Sequence, residues 1–259
     1  MRVWDLHPGY LNRPSLLAEH RELHGVIAIL SGGLKGYSRH PETLRWKGHL
    51  GAARRRHAIV SAEMRLRGWR DLTPATHRGP FGAWPGTFID TPGEQVRILA
   101  GKYAGREGGR IPLPRSGQEA WAHHKYSVMA RDPAACSGIG RRVAAMRRGA
   151  AFDALMLELT LLLRKPPPAG RRRNALEHMW GYVSADPPTG GERTLAEIAA
   201  RAKAVPRTYL LESTALSDLA AWEPGGWSRP WTMLEAPSRP NGRLGRPPGP
   251  REGHGPAHV

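Results

Sequence analysis

The chain has 259 residues and a net charge of +17 at pH 7, with 39 lysines and arginines against 22 acidic residues. A field of that sign concentrates polyanions, so nucleic acid is the expected partner, although the Arg, Ala, Gly and Pro bias of GC-rich coding supplies a second source of the charge. Cys136 is the single cysteine, which excludes an intrachain disulfide framework and a thiolate-rich metal site.

The opening MRVWDLHPGY has no apolar core of the kind a signal peptide needs, and no apolar run approaches the roughly 18 residues of a membrane span. The chain is therefore expected in the cytoplasm, in association with the nucleoid and without a membrane or an obligate protein partner. Leu16, Leu23, Ile27 and Leu30 recur at helical spacing from Pro14 onward, and Ser31, Gly32 and Gly33 stop that helix. The loop GLKGYSRHPETLRWKGH leads to an arginine-rich helix from about Gly51 to Arg67. Prolines and glycines break the chain from Asp71 to Pro92; a short helix over about Gly93–Tyr103 follows, and GREGGRIPLP reads as a linker or extended clamp. From Ser116 the pattern is nearly continuous helix, roughly 117–130, 134–147, 151–164, 172–183 and 192–204, with ALMLELTLLL the most buried run. No stretch has the period-2 pattern of a strand. The expected fold is all-α: a compact helical domain over 1–115, a helical domain over 116–235, and a Pro/Gly-rich disordered tail over 236–259.

The chemistry-bearing cluster is AEHREL, residues 18–23, in the first long helix. At about 100° per residue, Glu22 falls on the polar flank of the leucine stripe, beside the groove that such a helix presents. Arg21 and His24 are close in sequence. The following loop adds Lys35, Arg39, His40, Arg45, Lys47 and His49, interleaved with Tyr37 and Trp46, and Arg54 and Arg55 continue the charge into the next helix. Cations for phosphates and rings for stacking are what a DNA groove requires. Spacing alone also fits a solvated helix face with an ordinary glutamate. The histidines form no tight ligand pattern in the sequence: His123 and His124 are adjacent, and His49 and His57 lie apart. No metal and no cofactor are expected.

MRVWDLHPGYLNRPSLLAEHRELHGV followed by KGYSRHPETLRWKGH resembles the pyrimidine-dimer DNA glycosylase family typified by phage endonuclease V. The resemblance is clear over about residues 1–70 and extends toward 115. It implies a compact all-α enzyme that excises a base of a cyclobutane pyrimidine dimer in double-stranded DNA and then nicks the strand as an AP lyase. The family's nucleophile, a terminal α-amine, falls on Met1; its catalytic glutamate falls on Glu22, and its neighbouring arginines on Arg2 and Arg21. Because Arg2 is large, Met1 is expected to be retained. α-Amines as a class titrate roughly two and a half units below lysine, which suits Schiff-base chemistry near neutral pH. The family continues with Pro-Arg where this chain has His24 and Gly25, so His24 is the nearest substitute for the missing cation.

In the second half, HHKYSVMARDP at 123–133, GRRVA at 140–144 and NALEHMWGY at 174–182 resemble a YbgA-like domain of unknown function. Lys125, Tyr126, Arg131, Asn174, His178 and Tyr182 line one polar groove there if their helices pack side by side; the alternative is that Tyr126, His178 and Tyr182 are core polar residues. The alternatives to a dimer glycosylase are a non-catalytic nucleic-acid-binding protein and a glycosylase/lyase for another modified base.

Overall fold

A computed structural model of the chain describes residues 1–32, 35–73, 75, 82–147, 151–185, 195–205 and 209–222. The expected disordered tail over 236–259 lies outside these residues. The described residues are all-α, with no strand: α1 Arg13–Leu30, α2 Pro41–Arg45, α3 Leu50–Leu66, α4 Pro92–Lys102, α5 Gly117–Met129, α6 Pro133–Ala144, α7 Phe152–Leu163, α8 Ala169–Trp180, α9 Leu195–Ala204 and α10 Ala215–Asp218, with short 3-10 turns between them.

Local chemistry sets the helix ends. The Asn12 side chain accepts from Ser15 N at the start of α1, and Thr91 and Glu94 form a reciprocal capping box on α4. The Ser116 and Asp132 side chains accept from Glu119 N and Ala135 N at the starts of α5 and α6. α1 ends before Gly32, which takes φ +86°, a conformation that costs glycine little.

The most buried helix is not the apolar α7 but the arginine-rich α3. Leu161 of α7 is 44% exposed, whereas α3 buries an unbroken run from Arg55 to Met64. The physical reason is position. α1 lies against one side of α3, and α10 with the 3-10 turn Leu219–Trp222 lies against another. Two apolar clusters meet there. Ala52, Ala53, Val60 and Met64 join residues of α1 and α4–α7, while Ile59 and Ala62 join residues of α8–α10 and Tyr126 and Ala130. Apolar packing therefore crosses the expected boundary at residue 115.

Buried charges on α3 are matched by partners from both halves. Arg56 donates to both oxygens of Glu19 on α1, Nε to Oε1 at 2.7 Å and NH2 to Oε2 at 3.0 Å. Glu63 is fully buried and accepts from Arg67, from Arg110 and, at 2.6 Å, from Ser217 Oγ. Arg110 also donates to the Leu211 carbonyl. Burial alone would raise the Glu63 pKa, but Arg110 and then Arg67 outweigh it and hold the carboxyl down at about 2.

A carboxylate depressed in this way contributes stability above its ordinary value of 4.5 and loses that contribution as the pH falls toward about 2. Glu63→Gln is accordingly expected to destabilise the fold by about 3–5 kcal/mol near neutral pH and to flatten the acid limb of the stability curve. Urea unfolding at a series of pH values measures both; a parallel acid limb in the variant contradicts the assignment.

Candidate active site and nucleic-acid interface

The N-terminal segment is fixed by side chains from three distant parts of the chain. Val3, Trp4 and Leu6 are buried in the core. Gln95 of α4 accepts from Asp5 N at 2.8 Å and donates through Nε2 to Asp5 Oδ2 at 3.0 Å. The Asp5 carboxylate also takes Arg45 NH1 at 3.0 Å and, just after α7, Arg164 NH2 at 2.6 Å. Arg45 NH2 reaches back to the Val3 carbonyl at 3.2 Å. At the very end of the chain, the Met1 side chain is only 3% exposed and Thr43 Oγ1 donates to its sulfur at 3.3 Å.

Burying the Met1 side chain leaves its α-amine 3.9 Å from Glu22 Oε1, with the Glu22 side chain 35% exposed. The structure thus brings together the two groups that the resemblance names. Glu22 reaches solvent, as its position on the polar flank of α1 predicts, while Leu16, Leu23 and Val26 are buried on the core side of the helix. A terminal amine and a partly exposed carboxylate at this separation form an ion pair that a small group entering from the Glu22 side can reach. Arg2 does not stand free beside them: its NH1 lies 2.6 Å from Asp90 and its guanidinium covers the Trp4 ring at 4.3 Å.

The cationic residues expected to face DNA divide into two groups. Arg21, Lys35, Arg39 and Lys47 are exposed, as is Tyr37, while His49 and Arg54 are partly buried; His49 Nδ1 donates to the Ala83 carbonyl at 2.8 Å. Arg45 and Arg55 do not fit that expectation. The Arg45 side chain is 3% exposed and committed to Asp5 and Glu42. Arg55 donates to the Ala221 carbonyl and lies over Trp222 at 3.9 Å, where burial lowers its pKa to about 10. Trp46, expected as a stacking surface, is fully buried with its indole N–H on Glu42. Charge and aromaticity alone do not distinguish a guanidinium that meets a phosphate from one that neutralises an interior carboxylate.

His24 does not take the place of the missing family cation. Its Nε2 faces His57 Nε2 at 3.1 Å and Thr73 Oγ1 at 3.0 Å, inside a cluster with His20 and Asp71. Burial, then His20, pushes the His57 pKa down to about 3, and His24 is lowered for the same reasons. Sequence reasoning missed this cluster. The one available signal was the i,i+4 spacing of His20 and His24; His57 and Asp71 join them only through the packing of α3 and the chain that leaves it.

The polar residues singled out in the second half are only partly brought together: Lys125 lies over the Tyr126 ring at 5.3 Å and Tyr182 packs edge-on to Tyr126 at 6.4 Å. Arg131 is buried, with all its N–H groups engaged by Asp218 and by the Ser127, Leu163 and Lys165 carbonyls. Tyr126 is buried and shares a hydrogen bond with Tyr209, whereas Asn174, His178 and Tyr182 are exposed. His123 and His124 are buried around the Tyr10 hydroxyl.

These placements separate folding from surface roles by measurement. Arg45→Met, which leaves buried Glu42 with no cation and only the Trp46 indole N–H, and Asp5 with Arg164 and Gln95, is expected to cost about 3 kcal/mol of stability. Lys47→Ala, at an exposed position, is expected to stay within about 0.5 kcal/mol of the parent. Urea unfolding of the two variants side by side decides between a structural and a DNA-facing Arg45.

No helix among the described residues is long and apolar enough to cross a membrane. No curated protein and no solved structure matches the chain. Two family models do: residues 125–203 match that of a protein family of unknown function, and residues 1–76, which carry Met1, Glu22 and the exposed cations, match that of pyrimidine dimer DNA glycosylases.

Proposed function

We propose that this protein is a pyrimidine-dimer DNA glycosylase with AP-lyase activity, using the α-amine of Met1 as nucleophile and Glu22 as its partner carboxylate. The observation that carries the reading is the 3.9 Å separation of the Met1 amine and Glu22 Oε1, inside the segment that matches the glycosylase family. The glycosylase part is residues 1–115, followed by the domain of unknown function over 116–235, and the substrate is double-stranded DNA in the cytoplasm.

The chemistry follows from the two groups. The unprotonated amine attacks the sugar C1′ as the glycosidic bond breaks and the base leaves with the bonding electrons, taking up a proton. Glu22 stabilises the positive charge that develops on the sugar ring during this step. Ring opening gives an iminium between Met1 and C1′. Removal of a C2′ proton, with Glu22 as the base, then expels the 3′ phosphate, and water releases the amine. A dimer weakens stacking and pairing, so extruding a nucleotide there costs less than in intact duplex, which contributes to selectivity. Exposed Arg21, Lys35, Arg39 and Lys47 provide phosphate contacts that hold the kinked strand.

Borohydride trapping on duplexes containing one cyclobutane thymine dimer, an abasic site or no lesion tests the mechanism, with mass spectrometry locating the adduct. The expected result is a dimer-dependent adduct on the Met1 amine. Glu22→Gln is expected to bind damaged DNA but not to cleave it, and one residue added before Met1 to suppress nicking. An adduct on abasic DNA alone points to another base, and DNA binding with no adduct on any duplex points to a binding protein. Replacing Arg21, Lys35, Arg39 and Lys47 by alanine is expected to weaken binding on all sequences and to make the log–log salt dependence shallower by about 0.9 for each phosphate that the variant no longer neutralises.

A further inference from the structure

Next to the glycosylase site, but separate from it, is a convergence of side chains that the DNA chemistry does not use. His20 and His24 are one helical turn apart on α1 and leave the same face. α3 presents His57 opposite them, and the chain beyond α3 folds back to bring Asp71 to the same point. One ligand atom from each of the four lies within 4.8 Å of the others. His24 Nε2 and His57 Nε2 are 3.1 Å apart, His20 Nε2 is 3.3 Å from Asp71 Oδ1, and His57 Nε2 is 4.0 Å from Asp71 Oδ2. The three rings converge with centroids 4.6 to 4.8 Å apart.

Those separations have the scale of a coordination sphere. A tetrahedral ion with bonds of about 2.0–2.1 Å sets its ligand atoms roughly 3.3–3.4 Å apart. As a purely hydrogen-bonded core the same arrangement is poor. Two Nε2 atoms face each other, so at most one of them donates. His20 Nε2 is buried without a hydrogen-bond partner, the approach of Asp71 Oδ1 lacking hydrogen-bond geometry. Outer contacts orient the carboxylate as they do around bound metals: Ser61 Oγ donates to Asp71 Oδ2 at 2.6 Å, and Thr73 N to Oδ1 at 3.0 Å. His57 Nδ1 has Ser61 Oγ at 3.4 Å.

We propose that His20, His24, His57 and Asp71 bind a divalent first-row transition ion, zinc foremost, in a closed structural site that clamps α1 to α3 and to the segment following it. Three imidazoles and one carboxylate suit zinc, and four protein ligands leave no open position for a substrate. Binding requires the Thr73 hydroxyl to give up its 3.0 Å contact with His24 Nε2. Glu22 lies between the two α1 ligands in sequence but about 200° round the helix from each. The ion thus stiffens the turn that carries the carboxylate without touching the amine, and its binding is independent of the glycosylase reading.

The test uses tag-free, full-length protein stripped with a chelator and titrated with Co²⁺ and then Zn²⁺. Saturation at one ion per chain is expected, with the intense visible bands of tetrahedral cobalt, their displacement by zinc, and a rise in Tm on zinc addition, since a ligand that binds only the folded state stabilises it. His24→Ala, at a partly exposed position, is expected to weaken binding at least tenfold and to lose the bands, whereas His49→Ala keeps both. X-ray absorption of the zinc-loaded parent protein reads the shell without any variant and is expected to give four N/O ligands with imidazole scattering. Absence of a stoichiometric cobalt spectrum in the parent protein, or an unchanged spectrum and affinity in a folded His24→Ala, overturns the proposal.

Discussion

Ionisable side chains on the buried face of α3 are the constraint that organises this molecule. A charge moved out of water without a partner costs several kcal/mol, and α3 carries Arg55, Arg56, His57 and Glu63 into the interior in close succession. Each therefore dictates what packs against it. Arg56 requires Glu19 of α1, Glu63 requires Arg67, Arg110 and Ser217, and Arg55 is covered by the Ala221 carbonyl and Trp222. α1, the segment before α5 and the last described turns of the chain are brought to one helix by electrostatics as much as by apolar area.

The same logic reaches the N-terminus. Asp5 is the acceptor that fixes the first residues, and its donors come from α2, α4 and the end of α7. Met1 is then pinned by burial of its own side chain, so the amine has little freedom beside Glu22. Preorganisation of this kind lowers the entropic cost of presenting the amine in one position. It also means that the site is built in part by the second half, because Arg164 lies well beyond the segment that matches the glycosylase family. The second half is thus a structural partner of the first, whatever further role its own surface has.

In the second half, one of the motifs that marked a family in the sequence is largely interior and the other two are so only in part. HHKYSVMARDP contributes His123 and His124 to the Tyr10 hydroxyl and Arg131 to a buried pair with Asp218, and NALEHMWGY supplies Ala175, Leu176, Met179 and Trp180 to the second apolar cluster. The family resemblance there is carried substantially by packing. Its exposed polar residues include Arg141, Arg142, Asn174, Glu177, His178 and Tyr182.

By itself the sequence determined the elements and singled out Met1 and Glu22 as a candidate pair. Apolar periodicity and capping residues located α1, α3 and α4–α8 to within a few residues, because those signals are local and helices obey them one turn at a time. The motif around Glu22 and the residue at position 1 were marked as candidates by a resemblance read position by position, and the fold sets them 3.9 Å apart. Only the tertiary structure decided which charges face solvent. Arg45 and Arg55 are chemically the same as Arg21 and Arg39, and what sends the first two inward is carboxylates and carbonyls supplied from remote parts of the chain. The same holds for the histidine cluster: His20 and His24 share a helix, but His57 and Asp71 reach them only when α3 packs against α1. Long-range pairing has no period in the sequence, so it is decided when the helices meet.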